Sequence, residues 1–227
     1  MGDYDLVSFE ALGTDRHAQW NRLQEAWKTP RHLVILLPGP REQYPELFVK
    51  RVWYWLQATD MDQRQIPQHW GEEHPVGKSG WELCLRHAFG DPKLRTPTIL
   101  RDALSRRPLF LPFAPPALGP GVLADDARDG LLAFLREGLP AVLPVPPGVD
   151  GGEERVSWWR RWFRRRTEPR PSCAHPLRIL VTVRLEWADL FWEALEKRDH
   201  PELLDTCLLP SVSFPPWCDI EDQLKNR

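Results

Sequence analysis

Apolar residues along this chain follow two rhythms. One is the three- and four-residue recurrence of an amphipathic helix; the other is the short unbroken run of a strand buried on both faces. Over 14–28, TDRHAQWNRLQEAWK, the residues Trp20, Leu23 and Trp27 form one stripe. Thr14 or Asp15 can cap that helix, and Thr29-Pro30 ends it. Residues 32–37, HLVILL, form a nearly continuous apolar run and predict a buried strand of a parallel sheet. A turn-rich stretch follows, Pro38-Gly39-Pro40-Arg41-Glu42-Gln43-Tyr44-Pro45. A helix is then expected over 45–57, with Pro45 near its first position and Leu47, Val49, Val52, Trp53 and Leu56 on its apolar side.

Further strands are expected weakly at 64–70, then at 108–113 (PLFLPF), at 177–183 (LRILVTV) and around 206–209. Helical periodicity fills 79–89, 97–106, 126–138, 153–166 and 187–197. This alternation predicts an α/β fold: a mainly parallel sheet with helices on both faces, three layers deep, of the P-loop NTPase-like kind. Residues 1–227 read as one such domain, with the helix 14–28 at its start and a flexible loop, PAVLPVPPGVDGG, at 140–152. That loop is also the expected site of proteolytic access.

Strand, loop and helix in that order open many nucleotide-binding folds. A working phosphate loop needs glycines for close backbone approach, a Lys for the β/γ charge and a hydroxyl for magnesium. Gly39 stands where the first glycine belongs, but the loop Gly39, Pro40, Arg41, Glu42 continues without the later glycine, the Lys or the hydroxyl. Glu42 and Glu46 would repel phosphate, and Pro45 removes a backbone donor. Gly77-Lys78-Ser79 imitates the tail of a phosphate loop, but Gly71 is one residue too far upstream and no buried strand precedes it. The strand at 108–113 ends in Pro112-Phe113 without the acid that would hold magnesium. These residues predict a chain without enzymatic activity and without a cofactor.

The same segments resemble the inactive STAND domains (iSTAND), degenerate relatives of the STAND branch of P-loop NTPases found in bacterial conflict systems. The resemblance rests on Arg31-His32-Leu33-Val34-Ile35-Leu36-Leu37-Pro38-Gly39-Pro40 with Glu46-Leu47-Phe48-Val49-Lys50-Arg51-Val52. It continues through Pro108-Leu109-Phe110-Leu111-Pro112-Phe113 in the place of the Walker B strand, and through Leu177-Arg178-Ile179-Leu180-Val181-Thr182-Val183-Arg184. It closes on Leu208-Leu209-Pro210-Ser211-Val212 and Asp219-Ile220-Glu221-Asp222, so it spans roughly 30–227. It implies an adaptor or regulatory role in antiviral defence, beside an effector such as a caspase-like or trypsin-like protease.

Residues 156–166, VSWWRRWFRRR, interleave aromatic and basic side chains. As an amphipathic helix they would turn Val156, Trp159, Trp162 and Phe163 inward and leave the arginines in solvent. Trp and Arg also dominate protein interfaces, so Trp158, Trp159, Arg161, Trp162 and Arg165 are the candidate partner contacts. Binding of nucleic acid or an acidic surface through Arg160–Arg166 is an alternative. An atypical nucleotide site drawing charge from Arg41, Lys50 and Lys78 is another. His69 and His74 lack the spacing of a helical metal pair, and Gly71 and Pro75 argue for a loop, so no metal is expected. Cys173 near His175, and Cys84 near His87, are the thiol–imidazole neighbours, with nothing in the sequence to make either pair catalytic.

Charge and composition narrow the picture further. A formal net charge of -2 over 227 residues signals no global attraction to nucleic acid or acidic lipid. No apolar run approaches the ~20 residues of a membrane span. The four cysteines, Cys84, Cys173, Cys207 and Cys218, have no CxxC spacing and read as reduced thiols of a cytoplasmic protein. The 12 tryptophans fit an interaction surface or a tryptophan-rich core equally well.

Overall fold

A computed structural model of the chain describes residues 14–38, 48, 52, 55–56, 61–63, 81–82, 85–86, 88–89, 95–113, 122–149 and 172–211. Five strands form one sheet: β1 (His32–Pro38), β2 (Asp62–Gln63), β3 (Leu109–Phe113), β4 (Leu177–Val183) and β5 (Leu204–Leu208). Their order is β2-β3-β4-β1-β5, and every pairing is parallel. β1 lies between β4 and β5, with Ile35 level with Leu180 on one side and Cys207 on the other. That position explains why HLVILL carries almost no polar residue: all seven positions of β1 are buried.

The helices are α1 (Thr14–Trp27), α2 (Thr96–Arg106), α3 (Val122–Ala133), α4 (Leu139–Val142) and α5 (Ala188–Glu196). Residues 48, 52, 55 and 56 are also helical, as are 81–82, 85–86 and 88. Alternation along the strands sorts the core into two layers. On one face Leu33, Ile35, Leu37, Phe110 and Leu180 meet Leu23 of α1 and the helical residues Phe48, Val52 and Leu56. On the other, Val34, Leu36, Leu111, Ile179 and Val181 meet α2, α3, α4 and α5 through Leu104, Leu131, Leu139 and Phe191. The expected mainly parallel, helix-flanked α/β sheet is therefore present.

Its handedness follows from the strand order. The chain leaves β1 across the sheet to β2 on the face that carries Phe48, Val52 and Leu56, then returns through β3 and β4 to β5 with helices on the opposite face. Right-handed crossovers require that reversal of face when the direction of travel reverses.

Two buried polar side chains lock the amino-terminal end of the sheet. His32 Nδ1 accepts the Leu177 amide at 2.9 Å, and its Nε2 lies 2.8 Å from the Pro144 carbonyl. Because Nδ1 accepts, Nε2 carries the proton and the ring is neutral. Arg178 is 3% exposed, although it stands inside an apolar run. Its guanidinium donates to the carbonyls of Trp27, Thr29 and Arg31, so it caps the carboxyl end of α1, and it lies 5.8 Å from the Trp27 ring centroid.

Some expectations shift. The stripe expected over 45–57 turns inward through Phe48 and Val52, with Leu56. The stretch 140–152 does not begin as an open loop: α4 occupies Leu139–Val142, and Leu143 and Val145 are buried. Apolar side chains in that segment pack under the sheet, and Val145 pairs with Ser172. The turn at 147–149, with Gly148 exposed at φ 73, is more open. The expected strand at 64–70 and helix at 153–166 lie outside the described residues.

Candidate functional site

In open α/β sheets the natural place for a ligand is the crevice at the carboxyl ends of the strands, where neighbouring connections leave on opposite faces. Here that point lies between β1 and β4. The helical residues 48, 52, 55 and 56 follow β1 on one face, and α5 follows β4 on the other.

A cleft of about 480 Å³ opens at this edge. Pro38 closes β1 at its floor, Leu208, Leu209 and Pro210 continue β5 along one wall, and Leu185 and Ala188 form the wall leading into α5. Arg22 of α1 and Asp189 of α5 are its charged side chains among the described residues. Two hydrogen bonds hold the wall beyond β5 in place. The Leu209 amide donates to Leu36 O at 2.9 Å, and Gln19 Nε2 donates to Pro210 O at 2.6 Å. The Gln19 side chain is fully buried, so this bond fixes α1 against the rim of the cleft.

β3 reaches the same edge through Pro112 and Phe113. β2 pairs with β3 only at Leu109 and Phe110, so Pro112 sits where β3 has a described neighbour on one side alone, as a strand proline requires. No carboxylate stands in this strand.

Beside the cleft, the turn Leu185–Trp187 leads from β4 into α5. The Arg184 and Arg128 guanidiniums lie 4.9 Å and 5.7 Å from the centroid of the Trp187 ring, within cation–π range. Arg184 also reaches Glu186 at 3.7 Å. Leu185 and Leu190, at 48% and 43% exposure, are the exposed large hydrophobics among the described residues.

Neither of the described thiols, Cys173 and Cys207, is poised for chemistry. Cys173 Sγ donates to Val145 O at 3.3 Å and to His175 O at 3.2 Å, a backbone contact and not an imidazole one. Burial pushes this thiol up to about 11, which keeps it as S–H. Burial also raises Cys207, despite the nearby Arg22. Among the described residues no group of His, Cys, Asp and Glu is placed to hold a metal ion, and no helix is long and apolar enough to cross a membrane.

The residues singled out in the sequence as candidate sites, Gly39, Pro40, Arg41 and Glu42 together with Trp158, Trp159, Arg161, Trp162 and Arg165, lie outside the described residues. So do Lys50, Lys78, His69, His74, Cys84 and His87. The structure instead draws attention to Arg22, Leu185, Asp189 and Leu190, which sequence motifs did not single out. Leu190 had a readable signal: a helix that turns Ala188, Phe191 and Leu195 inward leaves residue 190 outside. No protein-family model matches the chain, and no curated protein matches it.

Proposed function

We propose that this chain is a non-catalytic adaptor or regulatory module that binds another protein. Following the iSTAND resemblance, its setting is a bacterial defence system and its partner an effector such as a caspase-like or trypsin-like protease. One observation carries the non-catalytic part. At the edge where such a sheet presents ligand chemistry, the strands end in Pro38, Pro112-Phe113 and Val183, and the cleft wall is Leu185, Ala188, Leu208, Leu209 and Pro210. Phosphate recognition needs convergent backbone donors and cations with a magnesium ligand. The loop that would supply them, Gly39-Pro40-Arg41-Glu42, lacks the Lys and hydroxyl in sequence. A cleft walled mainly by apolar side chains, with Arg22 and Asp189 beside them, suits a protein side chain better than a triphosphate.

The test is a titration of purified protein with ATP and with GTP, each with magnesium, followed by calorimetry and thermal shift. A ligand at a hundred times its dissociation constant adds about 2.7 kcal/mol of stability. The expected outcome is no heat and no shift. A saturable shift with either nucleotide would overturn the non-catalytic reading and make Arg41 and Lys78 the next residues to mutate.

A further inference from the structure

We infer that the tryptophan-lined groove on the outer side of α1 is the docking site for a proline-rich segment of a partner protein, held in the polyproline II conformation. The inference rests on the protein-binding reading above and names the site and the class of segment that would serve it.

The groove has a volume of about 590 Å³ and shares no lining residue with the cleft at the carboxyl edge of the sheet. Among the described residues, Asn21, Gln24 and Glu25 of α1 and Lys28, the residue after it, line the groove together with Trp27 and Trp55. The spacing 21, 24, 25, 28 sets these four polar side chains on one helical face, and all four are exposed. Leu23, which faces the sheet, is fully buried.

The aromatic walls are built before anything binds. The Trp27 and Trp55 ring centroids are 5.3 Å apart with their planes at 70°, so the two flat rings form a notch. Trp20 braces Trp55 at 5.3 Å and 74°, and Trp27 rests on Phe110 at 5.8 Å. Both groove rings are nevertheless only partly buried. Fixed aromatic side chains lose little freedom on binding, which is why they anchor interfaces. Proline rings dock against aromatic-lined grooves of this kind.

Charge and hydrogen bonding select the occupant. Lys28 Nζ reaches Glu25 at 2.7 Å, so the two charges of the described lining cancel. A nucleic-acid backbone or an anionic lipid surface finds no net cation in the groove. A strongly basic or acidic peptide finds no net opposite charge. What the lining does offer is N–H donors, from the Asn21 and Gln24 amides and from the two indoles. The Glu25 carboxylate, which would be its strongest acceptor, is already engaged by Lys28.

The matching occupant is rich in acceptors and poor in donors. Proline has a carbonyl and no N–H, and the polyproline II helix has no internal hydrogen bonds, so its carbonyls are open to donors. A docked α-helix would bring carbonyls already used in its own ladder. An added strand would need a sheet edge, and a helix face is not one.

The test uses the full chain and three labelled synthetic peptides of equal length, read by fluorescence anisotropy and by indole N–H chemical shifts. One peptide is a run of proline. In the second glycine and serine replace proline, and the third is a helix-forming peptide of alanine and glutamine. The proline peptide is expected to bind about tenfold or more tightly than either control. The indole signals of Trp27 and Trp55 should move, and that of Trp187 should stay. High salt should change the affinity less than about twofold, because no net charge is neutralised. Trp55→Ala should weaken binding about tenfold. That ring also packs on the core, so a second variant keeps the fold out of question. Asn21→Asp with Gln24→Glu removes the amide donors at exposed positions with little change of shape. It should weaken binding about tenfold while circular dichroism shows an intact fold. No saturable binding of the proline peptide, equal binding of a control, shifts confined to other indoles, or indifference to Asn21→Asp with Gln24→Glu would overturn the site. Any of these outcomes leaves the nucleotide titration to judge the non-catalytic reading separately.

Discussion

His32 shows how one buried side chain couples distant parts of this chain. It sits at the start of β1, yet it joins the Leu177 amide of β4 to the Pro144 carbonyl beyond α4. Burial is the main reason its pKa falls to about 4 from an ordinary 6.5, and the charge of Arg178 pushes the same way. The folded protein thus holds a neutral ring at pH values where the unfolded chain takes up a proton. The stability it contributes is complete above about pH 6.5 and is lost progressively as the pH falls toward about 4. The loss reaches about 3 kcal/mol once the folded state also protonates. Urea unfolding at stepped pH should show this slope, and His32→Phe should lack it. The variant should also be less stable at neutral pH by about 1–3 kcal/mol, because it leaves the Leu177 amide and the Pro144 carbonyl unpaired. A wild-type profile that matches the variant between pH 6.5 and 4 would refute the assignment. Nothing in the run RHLVILL distinguishes this histidine from one lying at an exposed strand end. Its partners are 112 and 145 residues away, and only the fold reveals them.

At the scale of elements, β1, β3, β4, α1 and α2 were legible because each carries a clean period: unbroken apolar runs for the strands, stripes for the helices. The helix expected at 126–138 was legible in its middle only, and the reason is Pro140. A proline inside a helix cannot donate to the carbonyl four residues before it, here that of Arg136. The chain adapts by widening into a π-helical turn at Phe134–Gly138, in which the Leu139 amide donates to Phe134 O, and α4 then continues through Pro140. The orphaned Arg136 carbonyl is taken by the Asp199 amide at 3.0 Å, from the turn between α5 and β5. A local defect in one helix thereby becomes a tie to another connection. The Asp199 side chain is exposed and its segment reads as a plain turn, so an unprotected amide would be the naive expectation. We expect instead that the Asp199 amide exchanges with solvent more slowly than that of His200, measured residue by residue at constant pH. Equal rates would remove the tie. Periodicity could not have shown this bond, because it answers a backbone group left over by proline and not a side-chain pattern.

Across the whole molecule, the sequence reads α1 as the start of the domain without showing what holds it there. The first strand begins only at His32, and the packing shows in three ways how the helix ahead of it is held. Leu23 is wholly buried against Leu33, Ile35 and Leu37, and Trp27 lies 5.8 Å from the Phe110 ring, so α1 covers one face of the sheet. Arg178 binds the last carbonyl of α1, that of Trp27, and those of Thr29 and Arg31 in the turn that follows. Gln19 ties the same helix to Pro210 at the rim of the cleft. Removing α1 with Lys28 and Thr29 would expose Leu33, Ile35 and Leu180 together and would leave the Arg178 cation only the Arg31 carbonyl of its three acceptors. Burial holds its guanidinium down to about 10 even with Asp205 nearby, so the fold already bears a desolvation cost that these carbonyls offset. Fully burying one large apolar side chain is worth about 1.5–3 kcal/mol, and α1 contributes Leu23 with Trp20 and Trp27 beside it. The loss is on the order of 5 kcal/mol, a large share of the 5–15 kcal/mol that holds a typical domain together. A chain beginning at Pro30 should therefore be insoluble, or bind a hydrophobic dye and melt without a cooperative transition. Should it melt cooperatively at the temperature of the full chain, α1 is an appendage, and the cleft that Arg22 and Gln19 help to shape is not a built part of the sheet's carboxyl edge.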